Sequence, residues 1–338
     1  LIDRTRRLLE RMTLADKFAG DVLIAKDGRV IFAQAYGLAD REHRIPNTLH
    51  TRFGMASVGK MFTGVAILQL VRAEKIKLDD PVGKYLTDYP NRQVASKVTI
   101  RELLNHTGGT GDIFGPELVA HAPELHTHED YIRLFGSRPP RFEPGSRFEY
   151  SNYGYVILGA IIERVSGQNY YDYVRNHVYI PAGMTSTAMP EPGDKPVRDL
   201  SLGYTKRGGE TWHTDRVPAQ VRGTASGGGY TTLEDLLRFA NALQDNKRLD
   251  AQDTKLLTTG DIATPIGPHY SYGFEVNTWN GLRCFGKPGG GPGTDNNFNI
   301  CPGAGYVVAV FANMDLPAGQ RISFYILSRL PEQQSAHQ

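Results

Sequence analysis

Apolar residues fall at helical spacing through the middle of the chain and in short strand-like runs near both ends. The pattern of residues 3 to 18 predicts an amphipathic helix with Leu8, Leu9, Met12 and Leu14 available for one face. Two runs follow, Asp21 to Ala25 and Val30 to Ala33, around Lys26-Asp27-Gly28-Arg29, a hairpin signal. From Met61 the pattern Met61, Val65, Leu68, with Phe62, Ala66, Ile67, Leu70 and Val71 filling the circumference, predicts a helix buried on nearly all sides. Thr99 with Glu102 three residues on starts a short helix that ends at Gly108-Gly109, and a further helix is predicted from Tyr153 to Val165. Residues 116 to 141 show no clear periodicity and read as an insertion over the core. Thr232 caps a predicted helix from Leu233 to Leu243. Strands return at Tyr272 to Val276, Leu282 to Gly286, Asn297 to Cys301 and Tyr306 to Phe311, before a last helix from Gly319 to Leu330.

Strands at both ends with helices between them predict an α+β (mixed α/β) fold. One antiparallel sheet is assembled from N- and C-terminal strands and flanked by helices, with an all-helical lobe inserted. The sheet lobe is expected at about residues 1–50 and 265–338, and the helical lobe at about 51–264. The site is expected in the cleft between them.

Length and charge narrow the function. At 338 residues the chain has room for a buried site, and 38 Lys and Arg against 36 Asp and Glu, mixed along the sequence, offer no electrostatic case for nucleic acid or a membrane surface. No run approaches the roughly 20 apolar residues of a membrane span. The chain begins at Leu1 without a signal-like apolar run, which reads as a processed or trimmed product and leaves its compartment open. Cys284 and Cys301 lie on either side of a hairpin centred on Pro292 and Gly293, and face each other in that register. Because cross-strand bridges are strained, two small buried thiols are expected.

The chemistry centres on Gly54-Met55-Ala56-Ser57-Val58-Gly59-Lys60-Met61. Ser57 and Lys60 stand three residues apart at a helix start and can meet on one face. Burial and the helix dipole both disfavour a charged Lys60, so it can accept the Ser57 proton and make Ser57 a nucleophile. The same stretch fits a phosphate-binding loop until Met61, which stands where a Ser or Thr must hold magnesium. Tyr150 and Asn152 lie at a loop-to-helix junction, where a cap and a staple are the plainer roles. Ser226-Gly227-Gly228-Gly229 permits close backbone approach. In Lys287-Pro288-Gly289-Gly290-Gly291-Pro292-Gly293, glycines after a strand-ending lysine leave N–H groups open to an oxyanion. His126, His128, Glu129 and Asp130 invite a metal reading, but nothing else supplies partners at ligand spacing.

Ser57-x-x-Lys60, Tyr150-x-Asn152 and Lys287-x-Gly289, in this order, resemble the serine β-lactamase and penicillin-binding-protein superfamily. The likeness is to its class C β-lactamase, D-peptidase and family VIII esterase branch. The leader Thr51-Arg52-Phe53, the stretch from Leu103 to Gly108, Pro144-Gly145 before Tyr150, and Gly227-Gly228-Gly229 extend it over nearly the whole chain. The resemblance implies one catalytic domain spanning residues 1–338 and an acyl-enzyme mechanism. Ser57 would attack a carbonyl, with Lys60 and Tyr150 moving its proton and Asn152, Lys287 and Gly289 holding substrate. The N–H groups of Ser57 and Gly290 would stabilise the oxyanion. It implies no metal or organic cofactor and, as partner, a small ester, amide or peptide. A periplasmic or secreted location is slightly favoured by it; the oligomeric state is not legible. The sequence departs from the pattern at Pro288, where β-lactamases and many peptidases carry a hydroxyl that helps bind a substrate carboxylate. Ester hydrolysis is therefore expected to exceed β-lactam hydrolysis, with a D-amino-acid peptidase or DD-carboxypeptidase as the nearest alternative. A catalytically silent sensor on the same scaffold is the alternative of another class.

Overall fold

The computed structural model describes residues 1–191, 193, 196–214, 222–245 and 251–331. Helix α1 (Ile2–Leu14) opens the chain and buries Leu9, while Leu14 at its end is exposed. Strands β1 (Gly20–Lys26) and β2 (Arg29–Tyr36) follow as a hairpin. Its two turn residues, Asp27 and Gly28, both take positive φ (49° and 75°), the requirement of a two-residue turn that matches strand twist.

The helical part contributes α2 (Lys60–Arg72), α3 (Ile100–Leu104), α4 (His128–Phe135), α5 (Asn152–Ser166) and α6 (Leu233–Gln244), besides further helical segments and two short strand pairs, Phe53–Gly54 with Tyr230–Thr231 and Tyr204–Thr205 with His213–Thr214. Every residue of α5 from Asn152 to Ile162 is buried, so it is the axis of this part. The capping box expected at Thr99 and Glu102 starts α3. Residues 116 to 141 are more regular than their composition suggested. A second capping box, Thr127 with Asp130, starts α4, which buries Tyr131, Ile132 and Phe135.

The chain then returns to the sheet as β3 (Ile262–Ala263), β4 (His269–Tyr270), β5 (Glu275–Trp279), β6 (Leu282–Gly291), β7 (Thr294–Cys301) and β8 (Tyr306–Ala312), and closes with α7 (Ala318–Leu327). The sheet runs β2-β1-β8-β7-β6-β5-β4-β3, antiparallel throughout, so the β1–β8 pairing stitches the two ends of the chain together. Alternation divides its residues. Val22, Ile24, Val308 and Val310 pack with α1 and α7, whereas Leu23, Ala25, Phe298, Ala309 and Phe311 join the core shared with the helices.

Three expectations are corrected. The strand read at Tyr272 to Val276 begins only at Glu275, because Gly273 turns with φ 88° against the Lys60 carbonyl. The strand expected to end at Lys287 runs on to Gly291 as the continuation of β6, in register with β7 from Lys287↔Phe298 to Gly291↔Thr294. The cysteines are bonded: Cys284–Cys301 is a disulfide, not a pair of thiols. The register that pairs Phe285 with Ile300 sets the two cysteines opposite one another with Cα atoms 4.1 Å apart. The register, which consecutive residues do not specify, therefore decides the pairing.

Candidate active site

Ser57 lies in a single 3₁₀ turn, Ala56–Gly59, that leads directly into α2. Its neighbour Ala56 takes φ 47°, a left-handed conformation that a residue with a Cβ adopts only under constraint. The constraint is visible. The Met55 N–H donates to the Gly229 carbonyl at 2.9 Å, and the Gly228 N–H donates to the Ala56 carbonyl at 3.1 Å. Asn296 Nδ2 on β7 donates to the Gly54 carbonyl at 2.6 Å. A Cβ at Gly289 would stand 2.6 Å from the Met55 carbonyl oxygen and 3.0 Å from the Ser57 nitrogen, so only glycine lets β6 lie against this turn.

Lys60 is fully buried, and its Nζ reaches three acceptors: Asn152 Oδ1 at 2.7 Å, the Ser226 carbonyl at 2.6 Å and Ser57 Oγ at 3.4 Å. Burial lowers its pKa from the ordinary lysine value, the Lys287 charge acts in the same direction, and the Tyr150 phenol opposes. The Tyr150 hydroxyl lies 3.0 Å from Ser57 Oγ on the other side. Burial alone would raise the phenol, but the charges of Lys287 and Lys60, with hydrogen bonding to Lys60 and Ser57, outweigh it and hold Tyr150 below its ordinary value. Both ammonium groups sit over the Tyr150 ring, Lys60 at 4.8 Å and Lys287 at 5.0 Å from its centroid. Asn152 opens α5 and is itself oriented by Asp112, whose two carboxylate oxygens each accept from Nδ2 at 3.0 Å.

Lys287 is 2% exposed and donates to Glu275 Oε1 at 2.6 Å across the β5–β6 pair. Burial would lower its pKa, yet the facing Tyr150 and Glu275 more than offset this and raise it. Strand β5 pairs with β6 only as far as Gly286, so among the described residues the edge of β6 beyond it has no strand partner on that side. Pro288, which has no N–H, costs no ladder bond if its nitrogen faces this open edge. Alternation then turns the Gly290 N–H to the same open side.

Ser57, Lys60, Tyr150, Asn152 and Lys287 are thus brought together, with Gly289 and Gly290 on the strand beside them. Sequence reasoning assigned no role to Asp112, Glu275 or the Ser226 carbonyl, because each acts through a partner distant in sequence. His126, His128, Glu129 and Asp130 form no metal site: no group of three or more metal-ligating side chains occurs among the described residues. His128 is instead buried, with Nδ1 3.1 Å from Glu163 Oε1 and Nε2 accepting from the Ala225 N–H at 3.0 Å. It therefore props the segment in which the following residue, Ser226, offers its carbonyl to Lys60.

The fold and this cluster define a scaffold of the serine β-lactamase and penicillin-binding-protein class. A model of the Beta-lactamase family matches residues 6–327, and the chain belongs to that family. It is 31% identical to PbpX of Bacillus subtilis (strain 168), which is named after the penicillin-binding proteins, over 85% of this chain and 66% of that one. Another curated relative, protein flp of Staphylococcus aureus (strain N315), is 28% identical over 87% of this chain and 59% of its own length. The chain therefore spans about three fifths to two thirds of the length of these relatives. Among solved structures, a penicillin-binding protein from Bacillus halodurans superposes with TM-score 0.84 at 33% identity, covering 94% of this chain and 98% of that one. A D-stereospecific amidohydrolase from Streptomyces sp. superposes with TM-score 0.80 at 26% identity, covering 96% and 97%.

Proposed function

We propose that the protein is a serine hydrolase that forms an acyl-enzyme on Ser57 and acts on ester or amide carbonyls lacking a free carboxylate. The observation behind this is the placement of Ser57 Oγ between Tyr150 OH and Lys60 Nζ, at 3.0 and 3.4 Å. Asn152 Oδ1, the Ser226 carbonyl and Ser57 Oγ all accept from Lys60 Nζ, and the Tyr150 oxygen also bonds to it, an arrangement that suits an ammonium donor. Tyr150, held low by two ammonium charges, is accordingly the base. It takes the Ser57 proton as Oγ attacks the carbonyl, and returns it to the leaving oxygen or nitrogen. The negative charge that develops on the carbonyl oxygen is met by the N–H groups of Ser57 and Gly290, where loss of one donor typically costs about 3 kcal/mol in barrier. Water then attacks the acyl-enzyme by the same route in reverse. Asn152, held through Nδ2 by Asp112, keeps Lys60 in place through Oδ1.

The substrate class follows from β6. Pro288 supplies no hydroxyl, and the Lys287 charge is already met by Glu275, so a substrate carboxylate finds neither of the partners it needs. Esters are the easier acyl donors, and a carboxylesterase-type activity is the first expectation. The likeness to the Streptomyces D-stereospecific amidohydrolase favours a second reading, hydrolysis of D-amino-acid amides or peptides.

Labelling with a fluorophosphonate followed by mass spectrometry tests the mechanism, with a single adduct on Ser57 expected. An unmodified protein that still binds ligand would instead indicate a silent sensor. Parallel kinetics on p-nitrophenyl butyrate, D-amino-acid anilides and nitrocefin rank the substrates. Higher kcat/KM on nitrocefin than on the ester would overturn the ranking.

A further inference from the structure

We infer that His106 is a positioning residue for Tyr150, holding the phenol between the two lysines through a neutral imidazole of one defined tautomer. His106 follows α3 and is 1% exposed. Its backbone carbonyl accepts from the Glu149 N–H at 2.9 Å, and its side-chain Nδ1 accepts from the Ser151 N–H at 3.1 Å. One residue thus grips the chain on both sides of Tyr150. Its ring meanwhile lies against the Tyr150 ring, with centroids 4.3 Å apart. Doing all three requires an unusual backbone, and His106 takes φ 62°.

The surroundings determine the protonation state. The ring is packed by Tyr155 on α5, Tyr270 on β4, and Phe148 and Tyr150 from the loop before α5. The charged groups that act on it are Lys60 of α2 and Lys287 of β6. A Tyr150 phenolate would favour an imidazolium, but burial, both ammonium groups and the Ser151 N–H directed at Nδ1 oppose it and keep the ring neutral. Because Nδ1 accepts, the single ring proton is on Nε2, and this buried nitrogen has no hydrogen-bond partner among the described residues.

An unpaired buried N–H destabilises the fold, and a phenylalanine would fill the same space without it. What phenylalanine could not do is accept from Ser151. A protonated histidine would fail as well, since Nδ1 would become a donor facing another donor and add a third positive charge beside Tyr150. The neutral ring fixes the Tyr150 backbone and side chain while leaving the phenol's charge to be set by Lys60 and Lys287.

This inference rests on Tyr150 being the base, and three substitutions separate the two claims. His106→Phe keeps a ring and removes the acceptor. His106→Asn keeps a short acceptor and tolerates left-handed backbone. His106→Ala removes both. In His106→Phe and His106→Ala, kcat is expected to fall about tenfold or more, with KM little changed. The acid limb of the kcat/KM against pH profile is expected to move to higher pH as Tyr150 leaves the field of the lysines. His106→Asn should return the limb toward that of the wild type. A purely structural residue would lower Tm and leave the limb in place, so folded variants with an unmoved limb and near-wild-type kcat would overturn the inference. Should the variants not fold, ¹⁵N NMR of histidine-labelled wild-type protein decides. A bare Nδ1 and protonated Nε2 on His106 at pH 7 support it, and an imidazolium or the opposite tautomer refutes it. Wild-type turnover in Tyr150→Phe would instead remove the premise, an outcome distinct from either of these.

Discussion

Glu275 Oε1 lies 2.6 Å from Lys287 Nζ, one residue off the register in which Glu275 pairs with Gly286. The carboxylate thus occupies a direction in which a buried lysine would otherwise offer its charge to a ligand. Removing it should change which acyl donors the enzyme accepts. In Glu275→Gln the ratio of kcat/KM for a p-nitrophenyl hemisuccinate to that for p-nitrophenyl butyrate is expected to rise by several-fold, a difference on the order of 1 kcal/mol. An unchanged ratio would mean that Glu275 does not determine the charge Lys287 shows to substrate.

Tyr150→Phe keeps the ring between the two ammonium groups and removes the oxygen that touches Ser57. Turnover of the folded variant is expected to fall by ~10²- to 10⁴-fold, and Lys60→Ala should be at least as damaging. In the wild type, activity needs Tyr150 deprotonated, so it should be lost as pH falls through the depressed phenol pKa. That limb should lie below the ordinary phenol value and should be missing from the residual activity of Tyr150→Phe. A limb that persists there would assign the titration to another group.

Asp21 on β1 is 1% exposed, and its Oδ1 has no hydrogen-bond partner among the described residues. Burial raises its pKa well above the ordinary carboxylate value. The folded state therefore holds this proton more tightly than the unfolded chain. The associated stability is complete below the unfolded pKa and is lost as pH rises toward the folded one. Asp21→Asn removes the titration, so it should raise Tm by a few degrees at pH 7 and change it little near pH 4. Equal Tm changes at both pH values would show that charge burial is not the cause.

Denatured, unreduced protein should show no titratable thiol, because Cys284 and Cys301 are joined. Two reactive thiols in freshly purified protein would contradict the pairing. After reduction, the β6–β7 hairpin loses a covalent tie on the strand that also carries Lys287 and Gly289. A lower Tm in reductant is the accompanying expectation.

Local signals made much of this protein legible from its residues. The 3.6-residue apolar period of α2 and α5, the Thr99–Glu102 capping box and the Asp27-Gly28 turn all act between neighbours, and such interactions are written in consecutive residues. The order Ser57, Lys60, Tyr150, Asn152, Lys287 and Gly289 was likewise readable, because Ser57–Lys60 and Tyr150–Asn152 are short motifs and the resemblance links them. What only the tertiary structure decided involves partners far apart in the chain. Asp112 meets Asn152, Glu163 meets His128, and Gly289 lies against the Ser57 turn. Register decided the rest: a one-residue slip in β6 would have turned Cys284 away from Cys301. The state of Tyr150 is tertiary as well, since its depressed pKa comes from two lysines 90 and 137 residues away in number but near 5 Å in space. Charge and desolvation depend on distance through the fold, which composition and spacing do not encode.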